Sequence, residues 1–201
     1  MPPRKASVEF WFDFASTYSY PAAMRVEEAA DRYGCSVKWR PFLLGPIFQQ
    51  QGWTDSPFNI YPVKGRYMWR DLERLCAALR LPFHKPSEFP RRGLPATRIA
   101  CAHAAKEWMP EFARRVYRAN FSEDLDIAES GVLLGCLSGL VGDPAAVLSS
   151  SRNPEAKAWV RHNTERAIAL GIFGAPTFVA GEELFWGNDR LEAAMEWGKT
   201  K

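Results

Sequence analysis

The 201-residue sequence predicts an α/β fold in which a small sheet is interrupted by a long helical insertion. Three observations predict it. The N-terminal end reads strand, helix, strand; about 120 residues then carry helical periodicity with no convincing strand; two short strand-like runs and a helix close the chain.

Val8 to Phe14 (VEFWFDF) is dense in β-branched and aromatic side chains, as a buried strand is, and it stops at small polar residues. From Ser19 to Tyr33, Ala22, Val26, Ala29, Ala30 and Tyr33 recur at helical spacing opposite Arg25, Glu27, Glu28 and Arg32, and Gly34 supplies a C-terminal stop. Cys35 to Phe42 alternates again, so the right-handed crossover rule makes the opening a parallel βαβ unit. Gly45 to Pro62 reads as loop. A long helix starting near Lys64 follows, with Met68, Leu72, Leu75, Cys76 and Leu79 on one face. Further helical windows cover Ala96 to Trp108, Pro110 to Asn120, and Ile127 to Leu140 closed by Gly142. Asp143-Pro144 and Asn153-Pro154 are N-cap plus first-turn proline pairs that open a short helix and a long one ending at Gly171. Pro176 to Ala180 and Glu183 to Trp186 form a hairpin around Gly181-Glu182, and Asn188 or Asp189 caps a closing helix stopped by Gly198. The order βαβ, helices, αββα is that of a thioredoxin-like sheet: residues 1–44 and 165–201 form the sheet domain and 45–164 an all-helical insertion domain.

Composition narrows the functional classes. Hydrophobic residues at 47% and charged residues at 24% belong to a chain that folds, and one of this length buries about 70% of its surface without needing disulfides or metal. A net charge of +3 is too mild for a nucleic-acid partner, and the basic pairs Arg91-Arg92 and Arg114-Arg115 read as solvated surface. The leading Met1-Pro2-Pro3-Arg4-Lys5 runs into the first strand without an apolar leader, and no stretch approaches 18 apolar residues, so a cytosolic protein with no membrane partner is expected. Cys35, Cys76, Cys101 and Cys136 form no Cys-x-x-Cys and read as reduced, mostly buried thiols. His84, His103 and His162 are scattered, which suggests neither a metal site nor a Ser-His-Asp triad.

The chemistry is expected where the first strand hands over to the first helix, because free N–H groups and the helix dipole there favour an anion such as a thiolate. That hand-over contains Ser16 and Ser19 at Cys-x-x-Cys spacing; by residue type alone they are an N-cap serine and a helical one. Gly174-Ala175-Pro176-Thr177 before a later strand adds context: by itself Ala-Pro is an ordinary trans turn, but in thioredoxin-like proteins the proline at this place is cis and the residue before it presents its backbone to an extended thiol peptide. At this point FDFASTYSY, PVKGRY at Pro62 to Tyr67, GIFGAPTFVAG and FWGNDRLE together resemble the 2-hydroxychromene-2-carboxylate isomerases and the related kappa-class glutathione transferases, relatives of the DsbA family, over essentially the whole chain.

The resemblance implies glutathione as cofactor and a small aromatic acid as substrate, handled by a homodimer in aromatic hydrocarbon catabolism. It makes Ser16 the catalytic residue, donating a hydrogen bond to the glutathione sulfur, and Ala175, Pro176, Asn188 and Asp189 further cofactor contacts, with Asn59 a weaker one. A free thiol is only about 3% thiolate at pH 7, and a hydrogen bond worth about 1.5 to 3 kcal/mol raises that share to about half. Serine cannot form a mixed disulfide, which rules out a dithiol oxidoreductase. Tyr18, Lys64 and Arg92 are candidate substrate contacts. Two positions depart from the family: Thr17 replaces a usual proline, and Arg92 stands where the isomerases commonly carry asparagine. The implied reaction interconverts 2-hydroxychromene-2-carboxylate and trans-o-hydroxybenzylidenepyruvate, or a close analogue. The alternatives are a kappa-like transferase or peroxidase acting on electrophiles, and a non-catalytic thiol-peptide binding protein.

Overall fold

The computed structural model describes residues 6–199; Met1 to Lys5, read above as lacking an apolar leader, and Thr200 and Lys201 lie outside the described residues. Strand β1 (Ser7–Phe12) runs through a loop into helix α1 (Ser19–Tyr33), and β2 (Ser36–Pro41) returns parallel to β1, with Ser7 opposite Ser36 and Phe12 opposite Pro41. Gly34 ends α1 in the left-handed conformation at φ 71°, its N–H donating to the Asp31 carbonyl.

The stretch expected as loop after β2 holds two short helices, α2 (Leu44–Gln50) and α3 (Pro57–Ile60). Neither is long enough to show a helical period, and Gly45 and Pro46 look like breakers in sequence. Pro46 lies in the first turn of α2, where an N–H has no intrahelical partner to lose. Helix α4 (Pro62–Ala78) then buries Gly65, Met68, Leu72 and Cys76. A Cβ at Gly65 would lie 2.2 Å from the Phe58 carbonyl oxygen, so only glycine lets α4 cross α3 this closely. Gly65→Ala is therefore expected to destabilise the protein by about 1 to 3 kcal/mol, the usual cost of overpacking. Urea unfolding should show a lower midpoint at unchanged slope; an unchanged midpoint would mean that α3 yields freely.

Four further helices, α5 (Leu94–Ala102), α6 (Met109–Phe121), α7 (Ser130–Leu137) and α8 (Pro144–Ser150), lead to the long α9 (Pro154–Ala169). Helix α5 stops at Ala102 rather than Trp108: Ala102, Ala105, Lys106 and Glu107 are exposed, so extending it would bury little. Gly139, at φ 72°, turns the chain after α7 before Gly142 is reached. Asp143 caps α8 by accepting from the Ala146 N–H at 2.9 Å, whereas the Asn153 side chain makes no such bond to α9. Arg91 also departs from the solvated surface expected of it. Its guanidinium is buried, donates to the Leu125 carbonyl at 2.9 Å and pairs with the Asp124 carboxylate. Arg114 is held between Glu27 and Glu111.

Strands β3 (Thr177–Ala180) and β4 (Glu183–Trp186) form the expected hairpin, with Gly181 at φ 66°, and α10 (Leu191–Lys199) closes the fold. Asn188 and Asp189 do not cap α10; with Arg190 they make a 3-10 turn that runs into it. Nor does Gly198 stop α10. It lies inside the helix, where a Cβ would come within 2.8 Å of Val8 Cγ2, so its bare backbone lets α10 press onto β1.

The sheet order is β2-β1-β3-β4, with β3 antiparallel to β1. Alternation along the strands sends Val8, Phe10, Phe12, Phe178 and Ala180 into one core and Trp11 and Val179 into a second core with Phe42, Ile47 and Ala167. The Phe10 ring stacks on Phe178 at 5.4 Å and meets Trp39 edge-on at 5.0 Å. The first core continues without a break through Phe112 and Tyr117 of α6 to Leu133 and Leu137 of α7, so α6 is packed directly behind the end of β1. Fully burying each such side chain contributes about 1.5 to 3 kcal/mol.

Candidate active site

The site is assembled around the loop between β1 and α1. Asp13, the one charged residue in the VEFWFDF run after Glu9, is buried and staples two segments together. Its Oδ1 accepts from the Ala15 N–H and its Oδ2 from the Leu44 N–H at the start of α2, both at 2.7 Å. Burial pushes its carboxyl above the usual carboxylate range, and the two N–H bonds work in the opposite direction. Behind the loop, the Tyr117 hydroxyl donates to the Asp13 carbonyl at 2.9 Å and the Asn120 amide to the Phe14 carbonyl at 3.1 Å. Gly93 approaches from another side, where a Cβ would lie 3.1 Å from that of Phe14.

This frame fixes Ser16, whose N–H donates to the Asp13 carbonyl at 3.0 Å. The Ser16 hydroxyl donates to the Ala175 carbonyl at 2.9 Å across a sequence separation of 159, and the Ala175-Pro176 bond is cis. Serine and cis-proline loop thus meet. Ser16 is not an N-cap: Tyr18 occupies the cap position of α1 and makes no side-chain cap bond. Ser19 begins α1, is fully buried and does not line the cleft that Ser16 lines. Thr17 presents a buried hydroxyl with no hydrogen-bond partner among the described residues.

The cleft above Ser16 has a volume of about 1610 Å³, beyond the roughly 300 to 1,000 Å³ of an ordinary single-ligand pocket. Its walls include several aromatic side chains, among them Phe48, Trp53, Phe58, Phe89, Phe173 and Trp186. Phe173 meets Trp186 edge-on at 4.9 Å, and Gly174 leaves room for that indole, since a Cβ there would lie 2.5 Å from Trp186 Nε1.

Of the residues singled out in the sequence, Ser16, Tyr18, Lys64, Arg92, Ala175, Pro176, Asn188 and Asp189 all line the cleft. Asn188 is buried, and its Oδ1 accepts from Arg25 at 3.5 Å. Asp189 is exposed beside Arg190 at 3.3 Å. Lys64 and Arg92 are exposed, with the Lys64 ammonium 5.1 Å above the Tyr61 ring. Asn59 is not brought in: its amide donates to Asp55 at 3.0 Å and to the Phe89 carbonyl at 3.1 Å, outside the cleft lining. Asp13, Tyr117, Asn120 and Asp71 were not singled out. A carboxylate inside an apolar run was the one signal for Asp13; the α6 pair carries none, because its partners are backbone carbonyls far away in sequence.

Residues 7–196 match a family model described as a DSBA-like thioredoxin domain. The chain belongs to the DsbA-like thioredoxin family. Among its relatives, the 2-hydroxychromene-2-carboxylate isomerase of Sphingobium xenophagum is 29% identical over 92% of this chain and 94% of that protein. Human glutathione S-transferase kappa 1 is 27% identical over 96% and 90%. A solved 2-hydroxychromene-2-carboxylate isomerase structure superposes with a TM-score of 0.82 at 26% identity, covering 94% of each chain.

Unlike an oxidoreductase built on a cysteine pair, this DsbA-like chain places no thiol at its cleft. All four cysteines are free and buried, and burial pushes the Cys76 and Cys136 thiols up to about 11 and Cys101 up to about 12. Among the described residues of this family member, no group of three or more His, Cys, Asp or Glu is placed to hold a metal ion, and no helix is long and apolar enough to cross a membrane.

Proposed function

We propose that the protein is a cytosolic glutathione-dependent isomerase that interconverts 2-hydroxychromene-2-carboxylate and trans-o-hydroxybenzylidenepyruvate, or a close analogue. The observation that carries this reading is the 2.9 Å bond from the Ser16 hydroxyl to the Ala175 carbonyl, which sets a non-oxidisable hydroxyl against the cis-proline loop at the floor of a large cleft. The relatives named above as isomerases and as a glutathione transferase support it.

The residues at the floor suit glutathione. Thr17 leaves a buried hydroxyl unpartnered beside Ser16, and the Ala175 backbone borders the same space. Farther along, the Asn188 amide and the Asp189 carboxylate suit the two charged groups of a γ-glutamyl end. When bound, glutathione supplies a thiolate whose reversible addition to a conjugated double bond permits rotation about it. Ser16 holds that sulfur as an anion by donating its hydroxyl proton in a hydrogen bond, exchanging the Ala175 carbonyl for the stronger acceptor. The aromatic side chains of the walls can stack on a ring, while Lys64 and Arg92 on the rim offer positive charge to a carboxylate.

Purified protein mixed with trans-o-hydroxybenzylidenepyruvate should convert it only when glutathione is present, with the glutathione concentration unchanged at equilibrium. Stoichiometric loss of glutathione would replace this reading with a transferase. Absence of both turnover and thiolate absorbance on adding glutathione would replace it with a thiol-peptide binding protein.

A further inference from the structure

One wall of the cleft carries a polar constellation of which the reaction above uses only Lys64. Lys64, Tyr67, Asp71 and Arg74 recur at i, i+3, i+7 and i+10 along α4 and all line the cleft, beside the face that buries Met68 and Leu72. Across from them, the Tyr18 hydroxyl donates to Asp71 Oδ2 at 2.9 Å. Arg74 donates to Asp71 Oδ1 at 3.2 Å, and its guanidinium lies 5.9 Å from the Tyr67 ring. Both oxygens of Asp71 are therefore engaged as acceptors.

A tyrosine hydroxyl has one proton and two lone pairs. With its proton committed to Asp71, Tyr18 can offer a ligand only an acceptor. Burial and the neighbouring carboxylate both push the phenol further from ionisation, so the hydroxyl stays neutral. Arg74 balances the charge of Asp71, so this wall gives no net attraction for a cation. The Phe58 ring stands 6.5 Å from the Tyr18 ring, so an aromatic ring lies beside Tyr18 in the cleft wall.

We propose that Asp71 is a specificity-determining positioning residue: by holding the Tyr18 proton it turns Tyr18 into an acceptor-only contact, so this wall selects aromatic ligands that bring a hydrogen-bond donor. The proposal deepens the reading of this cleft as the substrate site.

The test uses the full chain without any thiol and a matched pair of probes, 2-naphthol and its methyl ether, with dissociation constants measured by tryptophan quenching. The wild-type protein should prefer naphthol about tenfold, the size of one neutral hydrogen bond. Tyr18→Phe should abolish the preference. Asp71→Asn keeps an oxygen acceptor for Tyr18 and should retain it. Asp71→Leu frees the Tyr18 proton, so the hydroxyl donates as well as accepts: affinity for the ether should rise and the preference shrink, a gain in affinity that loss of packing alone does not produce. No saturable binding by the wild type, no preference in it, or a preference that survives Tyr18→Phe would each overturn the proposal. Because no glutathione enters the measurement, a failure here leaves the thiol-dependent reading standing, and a failure of that reading leaves this result unaffected.

Discussion

Ser16→Ala is expected to lower kcat/KM for glutathione-dependent turnover by about 10- to 150-fold while the protein stays folded. The activity loss follows from removing a hydrogen bond to a charged sulfur, worth about 1.5 to 3 kcal/mol. The same substitution strips the Ala175 carbonyl of its 2.9 Å partner, a neutral bond whose loss costs only about 1 kcal/mol of stability. Activity and stability should therefore separate clearly. Two readouts check it: turnover, and a thiolate absorbance of bound glutathione that appears at higher pH in the variant than in the wild type. Equal turnover with an unchanged thiolate titration would remove Ser16 from the chemistry.

Asp13→Ala is expected to be the more damaging change to the fold, costing about 2 to 6 kcal/mol. The methyl group satisfies neither the Ala15 N–H nor the Leu44 N–H, and each buried donor left unmade costs about 1 to 3 kcal/mol. Asp13→Asn is a sharper probe, because its amide keeps one acceptor but turns a second donor toward an N–H. The pH dependence has a defined sign. Burial raises the folded-state pKa of Asp13, so the folded protein holds this proton more tightly than the unfolded chain. Its contribution to stability is greatest below the unfolded carboxylate pKa and is lost as pH rises through the raised folded value. Urea unfolding across that window should show the slope in the wild type and its disappearance in Asp13→Asn. A slope unchanged by the substitution would assign it to another carboxylate.

The elements legible in the sequence were those whose own residues repeat a pattern. Helix α1 shows a full apolar stripe with a glycine stop, and β1 is a short aromatic run, so both could be placed closely. Helices α2 and α3 were hidden because a turn or two of helix has no period to show, and their Gly-Pro and Ser-Pro openings resemble loop. Gly198 misled for a different reason: a glycine demanded by close approach to Val8 looks the same in sequence as one demanded by a positive φ. Arg91 illustrates the limit for charged residues, since its partners are chiefly the carbonyls and carboxylate of a loop more than thirty positions away. At the site, Ser16 and Pro176 were readable because each sits in a local motif, whereas Asp71 and Asn120 act on residues about 53 and 106 positions distant and leave no local trace.

The two bonds from α6 to the carbonyls of Asp13 and Phe14 bear on how such a protein can be re-engineered or can diverge. The helices between β2 and β3 supply both the outer walls of the cleft and part of the frame that holds its serine. They are not an exchangeable cassette. A chimera that borrows this stretch from a relative to change substrate range must also import a hydroxyl and an amide at the positions of Tyr117 and Asn120, or the serine loop loses two of its anchors. Drift in substrate preference is correspondingly free at the exposed positions of α4 and held in check along the inner face of α6.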